Sequence, residues 1–114
     1  MALVIELRRG VPTARTGRKP GPRPAAGTLE RRIVDDELWT ALQALGRHLP
    51  TLTDVDPYGD TTLRGQTVDR MVRELEGADL AHLSRPEREL LSTLLAWGLR
   101  CRADSTLRIA FSGD

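Results

Sequence analysis

The sequence has a single cysteine, Cys101. No disulfide can form within the chain, no cysteine cluster can hold zinc, and a reducing compartment is the expected setting. No apolar run approaches the ~18 residues that a membrane-spanning helix needs. The apolar start Met1–Leu7 is followed, not preceded, by Arg8 and Arg9. A secretory signal has the opposite order, so a cytoplasmic protein without membrane partners is expected. Aromatic residues are few: Trp39, Tyr58, Trp97 and Phe111. Leucine and valine must therefore supply most of the core. Asparagine is absent, and lysine occurs once against sixteen arginines, a bias that a GC-rich genome would also produce.

At 114 residues the chain fits one domain. Its formal charge of +1 conceals an asymmetry. Residues 1–32 carry eight basic side chains against two acidic, whereas the remainder carries nine against fourteen. A basic arm thus joins an acidic body. Residues 10–27, GVPTARTGRKPGPRPAAG, hold almost no large apolar group. A stretch of this composition cannot offset its chain entropy by burial, and a flexible basic loop is expected there.

Apolar spacing suggests the elements. Residues 2–8 suit a strand, and 28–34 a second one pairing back on it. Leu38, Leu42, Leu45 and Leu49 recur at helical spacing after Asp35 or Asp36 as N-cap, and Pro50 is expected to end that helix. Asp56-Pro57-Tyr58-Gly59 fits a type I turn. Asp60 or Thr61 is then expected to cap a helix built on Val68, Met71, Val72 and Leu75, weakened in its first turns by Gly65 and stopped near Gly77. Ser84 and Glu87, three apart with Pro86 between them, form a capping box opening a third helix. Leu107, Ile109 and Phe111 alternate with Arg108 and Ala110, the pattern of a half-buried strand. The sum is an α+β fold: three helices on an antiparallel sheet of two or three strands, with the terminal strands paired.

Catalytic constellations are weak. Cys101 falls on the apolar face of its helix, and nothing in the spacing of His48 or His82 links them to a nucleophile. No Gly-rich dinucleotide fingerprint, P-loop or HExxH zinc motif occurs. No cofactor and no metal are expected. Asp54, Asp56 and Asp60 could offer oxygen ligands to a hard cation in a metal-dependent hydrolase, but turn and cap roles explain Asp56 and Asp60 without one. Arg15, Arg18, Lys19 and Arg23, within the basic arm 8–32, are the candidates for nucleic-acid contact, by counterion release at phosphates. The acidic body opposes a polyanion.

At Asp56-Pro57-Tyr58-Gly59-Asp60-Thr61 the sequence resembles a group of small, uncharacterised, largely actinobacterial proteins. In these a leucine-rich helix leads to a DPYGDT turn, a helix with a glutamine follows (here Gln66), and the chain closes on a strand ending in Gly-Asp (here Phe111-Ser112-Gly113-Asp114). The resemblance covers roughly residues 38–114 and implies no activity. It departs at Thr62-Leu63-Arg64-Gly65, where an aromatic-plus-Asn pair would be expected. The leading expectation is a small protein-binding module, more narrowly an immunity- or antitoxin-like one. Its partner would meet Asp56, Tyr58, Asp60, Thr61 and Gln66, since an aromatic at a turn tip suits a binding hot spot.

Overall fold

The structure is a computed structural model that describes residues 2–9, 27–46, 48–56 and 59–113. The loop expected at 10–27 lies outside the described residues except for Gly27. In chain order the elements are β1 (Ala2–Arg9), β2 (Thr28–Asp35), α1 (Asp36–Gln43), α2 (Pro50–Thr53), β3 (Asp60–Leu63), α3 (Gln66–Gly77), α4 (Arg85–Ala103) and β4 (Leu107–Ser112). The strands form one antiparallel sheet in the order β2-β1-β4-β3. The α+β architecture and the pairing of the terminal strands stand as expected. The count of elements does not: four strands and four helices are described, against three helices and two or three strands expected.

β3 is one added element. Asp60-Thr61-Thr62-Leu63 is too short and polar to show a strand period, and it exists because β4 offers it a free edge, with Thr61 opposite Phe111 and Leu63 opposite Ile109. This corrects the expectation that Asp60 or Thr61 caps a helix. The helix starts at Gln66, behind Gly65, with no side-chain cap. Gly65 is therefore not an interior flaw of α3 but its N-cap, at φ 59°. L-residues adopt that conformation only under strain. A Cβ there would meet no atom within 4 Å. The Gly65→Ala variant should therefore lose about 1–3 kcal/mol from backbone strain alone, measured by urea unfolding. Unchanged stability would show that the turn relaxes.

α2 is the other addition. Pro50 does not stop a helix but occupies the first turn of a new one, where its fixed φ is favourable and its missing N–H costs nothing. α1 has already ended at Gln43, and the chain turns through His48 and Leu49, whose N–H groups both donate to the Leu45 carbonyl at 2.8 and 3.1 Å. The other caps agree with the sequence. Asp35 accepts from the Leu38 N–H at 2.8 Å. Ser84 and Glu87 form the reciprocal capping box of α4, at 3.4 and 2.9 Å.

The helices bury one face of the sheet. Ile5, Leu7, Ile109 and Phe111 from the inner strands meet Trp39 and Leu42 of α1, Met71 and Leu75 of α3, and Leu90, Leu91 and Leu94 of α4 in a single core. Gly98 lets α3 and α4 approach closely: a Cβ there would stand 2.5 Å from Val72 Cγ2. β4 is not the half-buried strand its alternation suggests. It lies between β1 and β3, and Leu107 to Phe111 are buried throughout, Arg108 included.

Candidate functional site

Side chains alternate across a strand, so the face opposite the core can be read from the register. One row across it contains Ile33, Val4, Ser112 and Asp60, from β2, β1, β4 and β3 in that order. The next contains Arg31, Glu6, Ala110 and Thr62. The described helices bury their apolar sides in the core on the other face, and Ile33 is 66% exposed. Ile33 stands at the β2 edge of its row, and an exposed apolar side chain on an edge strand is a place where another chain can pair or pack.

The DPYGDT motif meets this row at its far end. The Gly59 N–H reaches the Asp56 carbonyl at 3.3 Å, closing the turn. Gly59 in turn accepts from the Gly113 N–H at 2.8 Å, and Asp60 stands opposite Ser112. The end of the DPYGDT segment and the C-terminal Ser112-Gly113 are thus laid side by side by the β3–β4 pairing.

The expected partner-binding residues divide. Asp56 and Asp60 are exposed beside the closed turn, whereas Thr61 points to the core side and is half-buried. Gln66 is exposed but lies beyond the other end of β3; a four-residue strand puts roughly 10 Å between its ends. Tyr58 lies outside the described residues, as do Arg15, Arg18, Lys19 and Arg23. Sequence reasoning missed Ile33. Its place in a Glu-Arg-Arg-Ile-Val run gave no sign of which face it would occupy.

Among the described residues no three His, Cys, Asp or Glu side chains, Asp54, Asp56 and Asp60 included, converge as metal ligands. Cys101 lines a cleft with Val68, Asp69 and Arg102, whereas His48 and His82 line a different one with Leu45, Leu80 and Leu83. Burial pushes the Cys101 thiol up to about 11, against a smaller lowering by Arg100 and a further raising by Asp104. It is therefore a protonated, weakly reactive group at neutral pH. His82 instead pairs with Asp79 at 3.2 Å on the surface.

Near the basic arm, arginines are mostly engaged. Arg9 meets Asp104 at 3.2 Å, and Asp104 is held below its usual range chiefly by the Thr106 hydroxyl. Arg31 meets Glu6 at 3.8 Å, Arg32 donates to Thr93 Oγ1, and Glu30 takes Arg100. No described helix is long and apolar enough to cross a membrane. Comparison with family models, with curated proteins and with solved structures gave no match.

Proposed function

We propose that the chain is a small protein-binding module that engages its partner through the sheet face opposite the described helices, along the row that reaches the DPYGDT turn. The observation that carries this reading is Ile33, 66% exposed at the β2 edge of a row that runs through Val4 and Ser112 to Asp60, beside that turn at the β3 edge. An exposed apolar side chain in one row with exposed polar groups gives a surface both apolar and polar contacts to offer a partner. Asp56 and Tyr58 belong to the patch by their place in the motif. Thr61 and Gln66 contribute less, one turned inward and the other beyond the opposite end of β3. An immunity- or antitoxin-like role is the narrower form of the proposal, and a toxin gene beside this one would favour it.

The test pairs capture with stability. The wild-type chain and the variant Ile33→Lys with Asp60→Lys are used to capture partners from the native host. Both positions are exposed, so stability should change by less than about 0.5 kcal/mol each. The wild type should retain a specific protein that the variant loses. Retention of the same protein by both chains would place the binding surface elsewhere.

A further inference from the structure

The outer-face row nearest the β1–β2 connection has an unbalanced charge. Thr28, Arg8 and Arg108 stand opposite one another across β2, β1 and β4. Arg64, the residue after β3, is close enough to Arg108 to act on it electrostatically. Directly opposed side chains have Cβ atoms about 4.5–5.5 Å apart, and like charges so placed repel. The β-bulge between Leu7 and Arg8 sets the register that brings Thr28, and not Leu29, opposite Arg8.

Nothing described neutralises this row. Arg108 is only 6% exposed. Burial, and then the charges of Arg8 and Arg64, hold its guanidinium below the usual arginine value, with no acidic group among the causes. No hydrogen bond or ion pair joins the guanidiniums of Arg8, Arg64 or Arg108 to another described residue. Three buried side-chain polar atoms among the described residues have no partner, and two of them, Arg8 Nε and Thr28 Oγ1, are in this row. The third is Trp39 Nε1, on the core side. Other arginines of the fold meet carboxylates, Arg9 at Asp104, Arg31 at Glu6, Arg100 at Glu30 and Arg102 at Asp69. Buried charges are ordinarily retained only when paired. The partner here must come from outside the described fold, and every orphaned group in the row can donate to it.

We propose that Arg8, Arg108, Arg64 and Thr28 form a binding site for a phosphate group of the phosphomonoester type on the outer face of the sheet. Three guanidiniums call for more than one negative charge. A phosphomonoester carries about −1.5 to −2 at neutral pH and three strong acceptor oxygens, whereas a carboxylate brings one charge and two. A compact dianion also fits better than a long phosphodiester chain. Glu6 and Asp60 share this face, and residues 33–114 hold fourteen acidic side chains against nine basic, which repels an extended polyanion. The site is distinct from the Ile33 row and stands whether or not a protein docks there.

The full chain is titrated with inorganic phosphate at physiological ionic strength, following the arginine Nε–H resonances by NMR and the melting temperature. Sodium acetate and a single-stranded oligonucleotide serve as the comparison ligands. Phosphate should shift the Arg8, Arg64 and Arg108 resonances saturably and raise the melting temperature, and acetate should do neither. Arg64→Gln, at an exposed position, should fold normally and weaken phosphate binding by roughly 10- to 100-fold, the range for losing a hydrogen bond to a charged group. Arg108→Met keeps the apolar stem, should abolish binding, and should melt no lower than wild type without phosphate, because the charge it removes has no partner among the described residues and lies beside two like charges. Three results would overturn the proposal: no saturable shift with phosphate, acetate acting as well as phosphate, or oligonucleotide binding that phosphate does not displace. Wild-type phosphate affinity in both variants would equally remove the site.

Discussion

Phe111→Ala is expected to cost about 3–5 kcal/mol, the range for emptying a buried aromatic position. Phe111 is fully buried on β4, an inner strand flanked by Ile5 of β1 and Thr61 of β3. Its ring lies 6.0 Å from that of Trp39 at 52°, a tilted pair that ties α1 to the centre of the sheet. Tilted aromatic pairs add roughly 0.5–1.5 kcal/mol beyond the area they bury. Domains of this kind have a total stability of only about 5–15 kcal/mol, so the variant should be largely unfolded at modest urea concentration. Leu99→Ala, at a position 42% exposed on α4, is the control and should change stability by less than about 1 kcal/mol. Equal losses in the two variants would mean that the core is not centred on Phe111.

Glu74→Ala should be the second most damaging change, at about 3 kcal/mol. α2 begins behind Leu49, which offers no side-chain cap. The missing acceptor comes from α3: the Glu74 carboxylate takes the Thr51 N–H at 2.9 Å and the Thr51 hydroxyl at 2.8 Å. Thr51 is only 4% exposed, so removing the carboxylate leaves a buried N–H and hydroxyl unmatched. Hydrogen bonds to a charged group contribute about 1.5–3 kcal/mol, and an orphaned buried donor costs a similar amount. The nearby Arg70–Glu74 pair, at 3.6 Å and mostly exposed on the arginine side, adds little. Glu74→Gln retains one acceptor oxygen and should lose roughly half as much. A double-mutant cycle with Thr51→Val isolates the contact, and a coupling below about 0.5 kcal/mol would show that α2 is held by packing alone.

Glu74 also marks a boundary between what local pattern carries and what it does not. Asp35, Ser84 and Glu87 were legible as caps because a cap and the amide it serves lie within three residues. Glu74 caps across 23 residues, and no sequence window contains both partners. Pro50 looks locally like a stop for the same reason: its first-turn role depends on a helix that only Glu74 and the core make stable. Asp60, between a turn and a helix, has the local pattern of a cap, yet the free edge of β4 draws the segment into the sheet.

The candidate surfaces divide in the same way. The DPYGDT turn was legible as a turn and as the most distinctive short motif, and the basic and acidic halves were legible by counting. That Gly59 lies against Gly113, that Ile33 faces outward, and that Arg8, Arg64 and Arg108 share a row were not. By itself the sequence determined the α+β class, the apolar faces of α3 and α4, the capping chemistry of α1 and α4 and the apolar positions of β1 and β4, because these follow from periodicity and from contacts a few residues apart. Only the tertiary structure decided the fourth strand, the short α2 helix and the composition of each row on the sheet face opposite the described helices. Those depend on the register between residues up to a hundred positions apart. A shift of one residue in that register would turn every side chain of a strand to the opposite face.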